Sequence, residues 1–314
     1  MCKPLKLSVV TTLYRSVAEL AEFHRRASEA AREFAGDDYE IVLVNDGSPD
    51  DSLSLAVDMV QNDPHLTVID LSRNFGHHQA MMTGLAHASG DYIFLIDSDL
   101  EEDPAWLSPF ADELKSTGSD VVFGVQRRRK GNLFERFTGS VFYRAFDLMS
   151  GVKQPHNIVT ARLMTRRYVD GLLSHSEREL NIGGLWLITG FKQTHHVVDK
   201  LALSPTSYSL SRKFDHFVNA ITSFSNRPLF IVFYSGLAIF GTSVAFIVYL
   251  LFQYFFLSQP PAGYVSVVAS IWLFSGLIIL FNGILGVYIA KVFSEVKQRP
   301  LTVVRQIYRS PESS

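Results

Sequence analysis

The amino-acid sequence predicts an α/β fold: a Rossmann-like head with a mostly parallel sheet, plus a C-terminal hairpin of two transmembrane helices. Two observations predict it. Short apolar runs alternate with amphipathic stretches from Leu5 to Val125, which is the rhythm of strands and helices in a layered α/β domain. Later, from Pro228 to Ala290, the chain carries no Asp, Glu, Lys, Arg or His. Composition excludes other classes. Lys+Arg 29 against Asp+Glu 31 gives a formal net charge of −2, which argues against a nucleic-acid partner. With 47% hydrophobic and 19% charged residues, the 314-residue chain is not disordered. The lone Cys2 excludes an internal disulfide and a multi-cysteine metal site.

The elements of the head follow in order. Leu5–Thr11 suits a first strand. Val17–Phe34 places Leu20, Phe23, Ala27, Ala31 and Phe34 at helical spacing. Glu40–Val44 is the second strand, Asp51–Gln61 a helix and Leu66–Leu71 the third strand. Gln79–Ala88 is a helix of small and apolar residues, Tyr92–Ile96 the fourth strand, Pro104–Lys115 a helix with Pro near its start, and Asp120–Val125 the fifth strand. Such alternation implies right-handed crossovers, with helices on both faces of the sheet.

Ligands in these sheets bind beyond the carboxyl ends of the strands. The first strand exits into Thr11-Thr12-Leu13-Tyr14, the second into Asn45-Asp46-Gly47-Ser48, the third into Arg73-Asn74-Phe75-Gly76 and the fourth into Asp97-Ser98-Asp99. Three carboxylates and one arginine thus converge on one cleft. Asp97 and Asp99 repel each other unless a cation sits beside them. Hard oxygen ligands suit Mg²⁺ or Mn²⁺, ions that usually bring phosphates. The plainer alternative is that both aspartates cap the helix near Pro104. No Gly-x-Gly-x-x-Gly follows the first strand and no Gly-Lys-Ser/Thr loop exists, which argues against a dinucleotide site and excludes a P-loop. His77-His78 and His195-His196 lack a third ligand and read as non-metal residues.

The uncharged block holds two apolar runs, Leu229–Leu257 and Tyr264–Ala290, each longer than the roughly 20 residues a spanning helix needs. Ser258-Gln259-Pro260-Pro261-Ala262-Gly263 makes the turn between them. Arg212, Lys213 and Arg227 precede the first run; Lys291, Lys297, Arg299, Arg305 and Arg309 follow the second. The positive-inside rule then puts the head and both termini in the cytoplasm, on the inner (plasma) membrane, as a multi-pass protein. No signal peptide is expected. The expected organisation is residues 1–210 as the cytoplasmic head, 211–228 as a juxtamembrane amphipathic helix, 229–293 as two spans and 294–314 as a basic cytoplasmic tail. Oligomeric state is not legible, although such hairpins leave room for a homo-oligomer.

Several segments carry a resemblance when taken in order. They are Ser8-Val9-Val10-Thr11-Thr12-Leu13-Tyr14, Val44-Asn45-Asp46-Gly47-Ser48-Pro49-Asp50, Arg73-Asn74-Phe75-Gly76, Ala88-Ser89-Gly90-Asp91 and Asp97-Ser98-Asp99-Leu100. Arg162-Leu163-Met164, Gly190-Phe191 and Ser223-Phe224-Ser225-Asn226-Arg227-Pro228-Leu229 continue it. Together they resemble family 2 glycosyltransferases, in the polyprenyl-phosphate branch that is similar to dolichyl-phosphate mannose synthase. The resemblance implies a GT-A head that binds a nucleotide-sugar, UDP-linked by preference. It implies that Asp46 contacts the base or ribose, that Thr11 to Tyr14 and Arg73 line that pocket, and that Asp97 sits near the ribose and the metal. Asp99 would bind a divalent ion that bridges the diphosphate, and transfer would be inverting.

The sequence departs from the family pattern. Pro-x-Tyr-Asn after the first strand is Thr12-Leu13-Tyr14-Arg15, and the Asp-Phe before Arg-Leu-Met is Thr160-Ala161. That aspartate is a base candidate in the branch; His156 and Asp170 are weaker substitutes. The later Arg-x-x-Gly-x-Ser-x-Tyr segment is Leu201 to Tyr208, with Lys200 as a stand-in diphosphate contact. A lipid phosphate, with a second pKa near 6, is largely dianionic at pH 7 and needs no base. A hydroxyl acceptor does. The departure therefore favours polyprenyl (undecaprenyl) phosphate as acceptor, or marks a weakened enzyme; the alternatives are a glycosyltransferase of the same fold with a glycan or other lipid acceptor, and a non-catalytic subunit of an envelope complex. Arg127-Arg128-Arg129-Lys130, followed by an amphipathic Leu133–Met149, suits the surface of a lipid bilayer. Arg127, Arg128 and Arg129, with Arg162, are the expected contacts to the acceptor phosphate.

Overall fold

Leu7–Leu13 (β1) is buried at all seven positions, because sheet neighbours flank it on both edges and helices cover both of its faces. A computed structural model describes residues 7–126, 157–175, 182–200 and 263–310, with scattered helical positions between 232 and 252. Expected elements that fall elsewhere, including 127–156 and 201–230, lie outside the described residues.

β1 is followed by Leu20–Ala35 (α1), Tyr39–Asn45 (β2), Ser52–Val60 (α2), Leu66–Leu71 (β3), His77–His87 (α3) and Tyr92–Leu95 (β4). A short 3₁₀ turn at Pro104–Trp106 leads into Leu107–Thr117 (α4) and Val121–Gln126 (β5). Ile158–Thr165 (β6), Arg166–Leu173 (α5), Ile182–Ile188 (α6) and Gln193–Val198 (β7) complete the head, and Tyr264–Val296 (α7) and Val304–Arg309 (β8) follow. The eight strands form one sheet in the order β7-β5-β6-β4-β1-β2-β3-β8. Four of its seven pairings are parallel; β6 runs antiparallel to β4 and β5, and β8 antiparallel to β3.

Helical spacing decides which side chains reach the core. α1 buries Leu20, Phe23, Ala27 and Ala31, one stripe on one face. With Phe110 and Leu114 of α4 they cover one side of the sheet. Met81, Met82 and Leu85 of α3, with Tyr168 and Leu172 of α5, cover the other. Gly90 is held to glycine by contact: a Cβ there would lie 2.7 Å from the backbone of Leu7 and Ser8.

The chain divides into two compact units. One contains the sheet, β8 included; the other contains α7. The segment 294–314, expected as a basic tail, contributes the edge strand β8. α7 holds the one helix among the described residues that is long and apolar enough to cross a bilayer, Phe274–Phe293, with mean hydropathy 2.0 and none of that window buried. It corresponds to the second expected span. The first, 229–257, lies largely outside the described residues, so a two-helix hairpin is not established by the fold.

Candidate active site

The parallel strands deliver their carboxyl ends to one edge, and hydrogen bonds there join the loops into a single floor. Asp46, at the end of β2, is 3% exposed. Its carboxylate accepts from the backbone N–H of Phe75 at 2.7 Å and of Gly76 at 3.0 Å. Burial pushes the Asp46 carboxyl up, while these N–H groups and the charges of His77 and Arg73 work the other way. Gly47 has φ +60°, and a Cβ on it would stand 2.5 Å from Asn74 N and 2.6 Å from Arg73 C. Only a glycine lets the β2 and β3 loops touch in this way. The β1 loop joins them through Arg15 N–H, which donates to Ser48 Oγ at 2.7 Å.

β1 and β4 are tied by Ser98, whose hydroxyl donates to the Thr12 carbonyl at 2.9 Å. His77, at the start of α3, lies between the two strands. Its Nδ1 is 2.9 Å from Thr12 Oγ1 and its Nε2 is 3.3 Å from Asp97 Oδ1. Burial opposes charge on both groups of the pair. The contact outweighs it, holding the Asp97 carboxyl below and the His77 imidazole above their usual ranges. Asp99 is exposed at the rim, where Glu101 N–H donates to its Oδ1 at 3.0 Å. Its carboxyl is pushed up by partial burial and by the neighbouring charges of Asp97 and Glu101.

Behind the rim, Lys200 Nζ sits 3.2 Å from Glu101 and 3.6 Å from Glu102. Glu102 is fully buried, and one of its oxygens has no hydrogen-bond partner. Burial, then the nearby Asp97 charge, pushes its carboxyl up to about 7 against the pull of Lys200. Arg162 on β6 is 1% exposed, lies over the Trp186 ring and donates from Nε to the Thr160 carbonyl at 3.1 Å. Burial brings its guanidinium down to about 9.

The residues singled out from sequence thus take different positions. Asp97, Asp99 and Lys200 share one electrostatic cluster. Asp46 spends its carboxylate on the β3 loop, so it shapes the floor from beneath. Tyr14 is exposed on the β1 loop, and Arg73 stacks on Phe75 at 4.1 Å from the ring centroid. The Thr11 side chain is sealed within β1. Arg162 is sealed as well, so a phosphate does not reach it while Trp186 stays in place. Asp170 is a surface residue near Arg166 at 3.8 Å. Arg127, Arg128, Arg129 and His156 lie outside the described residues. His77 and Glu102 were not legible as site residues. The only sequence signal for Glu102 is its place in the acidic run Asp97 to Asp103.

Among the described residues no three metal-ligating side chains converge. The donor set is instead a carboxylate pair, Asp97 and Asp99, beside an open rim. That set fits Mg²⁺ or Mn²⁺, which is commonly held by one or two carboxylates and completes its shell with phosphate oxygens and water.

Residues 8–173 match the family described as glycosyl transferase family 2. A Mycobacterium tuberculosis (strain CDC 1551 / Oshkosh) protein that carries a glycosyltransferase name is 50% identical over 306 residues, covering 98% of this chain and 89% of the relative. The prophage bactoprenol glucosyl transferase homolog of Escherichia coli (strain K12) is 30% identical across 96% of this chain and 99% of its own length. The SfII prophage-derived bactoprenol glucosyl transferase of Shigella flexneri is 29% identical across 97% and 99%. The matched segment covers more than half of the chain and contains every loop of the floor, so this protein belongs to glycosyl transferase family 2 and is a glycosyltransferase.

Proposed function

We propose that the protein moves a sugar from a nucleotide-sugar, UDP-linked, to polyprenyl phosphate at the cytoplasmic face of the plasma membrane, for cell-envelope glycan synthesis or modification. The observation that carries this reading is the cluster of Asp97, Asp99 and Lys200, with Asp99 at the rim and Lys200 behind it, beside a floor built by the Asp46 and Arg73–Gly76 loops. The relatives named bactoprenol glucosyl transferases, aligned over nearly their full length, support the lipid acceptor.

In this reading the floor loops hold the nucleoside, and Tyr14 and Arg73 flank it. Asp97 and Asp99 hold the divalent cation, which when bound withdraws charge from the departing diphosphate. His77 keeps Asp97 ionised and oriented for that task. An acceptor phosphate oxygen attacks the anomeric carbon as the bond from that carbon to the diphosphate oxygen breaks. The nucleoside diphosphate leaves with the electron pair, and the configuration inverts. A phosphate dianion brings no proton to remove, so Thr160 in place of a carboxylate costs the reaction little.

Membrane topology is part of the proposal. β8 follows α7 in the chain and pairs with β3 of the head. If α7 crosses the bilayer, a second crossing is required to bring the chain back. The β3–β8 ladder therefore supports a hairpin with the head and the segment after α7 on one side.

The test is a screen of nucleotide-sugars against purified undecaprenyl phosphate with Mg²⁺ or Mn²⁺, reading lipid-linked sugar by extraction. Metal-dependent transfer to the lipid phosphate is the expected result. Transfer to a glycan primer or another lipid, with none to polyprenyl phosphate, would replace the acceptor.

A further inference from the structure

β8 is more than a cover for the sheet edge. Along the β3–β8 ladder Asp70 faces Gln306 and Leu71 faces Val304, so Arg305 is the extra residue of a β-bulge. Bulges re-aim the side chain they carry, and they occur at sheet edges beside active sites. Here the Arg305 guanidinium donates to Asp70 Oδ2 at 3.1 Å and to the Ser72 carbonyl at 2.6 Å.

Both partners lead straight into the floor. Asp70 is 1% exposed, and its other oxygen accepts from Asn45 Nδ2 at 2.8 Å. Asn45 Oδ1 in turn accepts from Ser48 N–H at 3.2 Å, closing the turn that contains Asp46 and Gly47. Ser72 immediately precedes the Arg73–Gly76 loop, and its N–H donates to the Val303 carbonyl at 2.9 Å. Nearby, Thr302 Oγ1 lies 2.7 Å from Thr83 Oγ1 of α3, the helix that starts at His77. One fork of Arg305 therefore grips the stems of both floor loops. A planar guanidinium with several fixed donors can do this; a single ammonium cannot hold both acceptors in the same geometry.

We infer that β8 is a working part of the donor site and that Arg305 is a positioning residue, bracing the Asn45–Ser48 and Ser72–His77 loops in the shape that receives the nucleotide. This inference rests on the donor reading above. Arg305 touches no substrate; its effect passes through Asp70, Asn45 and the Ser72 carbonyl.

The experiment uses the full chain in lipid nanodiscs. Amide hydrogen exchange is followed at residues 45–48 and 72–77, together with UDP affinity in Mn²⁺ by calorimetry and donor KM and kcat. Arg305→Ala should speed exchange in those two loops by about tenfold and raise the Kd for UDP about tenfold. Donor KM should rise with it while kcat stays within about twofold, as expected when ground-state and transition-state binding weaken together. Arg305→Lys should recover part of both effects. Arg309→Ala, at the far end of the same strand opposite Thr67, should change neither.

Unchanged loop exchange in Arg305→Ala would overturn the inference. So would an equal loss of protection across β1 to β4, or the same effect from Arg309→Ala, because β8 would then serve only general stability. If Arg305→Ala does not fold, Asp70→Asn tests the same fork from its other end, with the same loops expected to loosen and the same outcomes deciding. A wild-type protein that binds no UDP, in which Arg305→Ala still loosens the two loops, would sink the donor reading and leave the brace standing.

Discussion

The backbone N–H of Thr160 donates to the Glu102 carboxylate at 2.9 Å. A carboxylate therefore stands behind the position where Thr160 replaces the aspartate of the family pattern, and it is wholly buried. In the fold it titrates at about 7, against an ordinary 4.5. A raised carboxyl pKa costs nothing below the ordinary value. The cost grows as pH rises toward 7 and is complete above it. Glu102→Gln should therefore match the wild type near pH 4. It should be more stable at pH 8, by about 3 kcal/mol. Thermal unfolding in metal-free buffer across that range checks it. A variant less stable than wild type at pH 8 would mean that the pull of Lys200 outweighs burial and that the Glu102 carboxyl is not raised.

Asp99 offers the exposed carboxylate of the pair at the rim. Asp99→Asn keeps its shape and removes its charge. Metal-dependent sugar transfer should fall by at least about a thousandfold, a loss of roughly 4 kcal/mol in transition-state stabilisation. Turnover that survives the change would remove Asp99 from the cation site.

Gly47→Ala places a methyl against the backbone of Arg73 and Asn74 at a left-handed φ. The loops must part to admit it. The expected loss is about 1–3 kcal/mol of stability, together with weaker nucleotide binding. Thermal unfolding and UDP calorimetry read the two effects separately. Full affinity in this variant would show that contact between the loops does not matter for the donor.

Neutralising Arg127 to Lys130 removes four charges that the sequence places beside an amphipathic stretch. Near an anionic surface each is worth about 1 kcal/mol. Use of polyprenyl phosphate should weaken at least about tenfold, while UDP affinity stays within about twofold. Equal losses for donor and acceptor would contradict a lipid-side role.

Much of the head was readable from local pattern. β1 to β5 and the helices between them lie within three residues of their expected bounds, because each is a short apolar or amphipathic run with turn residues beside it. Strand exits then named the floor loops, and spacing named Asp97 and Asp99. What escaped depends on distant partners. Arg305 and Asp70 are 235 residues apart, and nothing local marks Val304–Arg309 as a strand that will find β3. The burial of Arg162 follows from Trp186 folding over it, which no periodicity in β6 announces. Glu102 looks like any member of an acidic run until the backbone of Thr160 closes on it.

The order of synthesis gives the β8 edge one more meaning. Ribosomes make α7 before β8, so the outer edge of β3 waits, unpaired, until the apolar helix has left the tunnel. An open edge with buried Asp70 lacking its counter-ion is a poor resting state and an invitation to aggregate. On the proposed topology, insertion of α7 into the bilayer would therefore precede completion of the head.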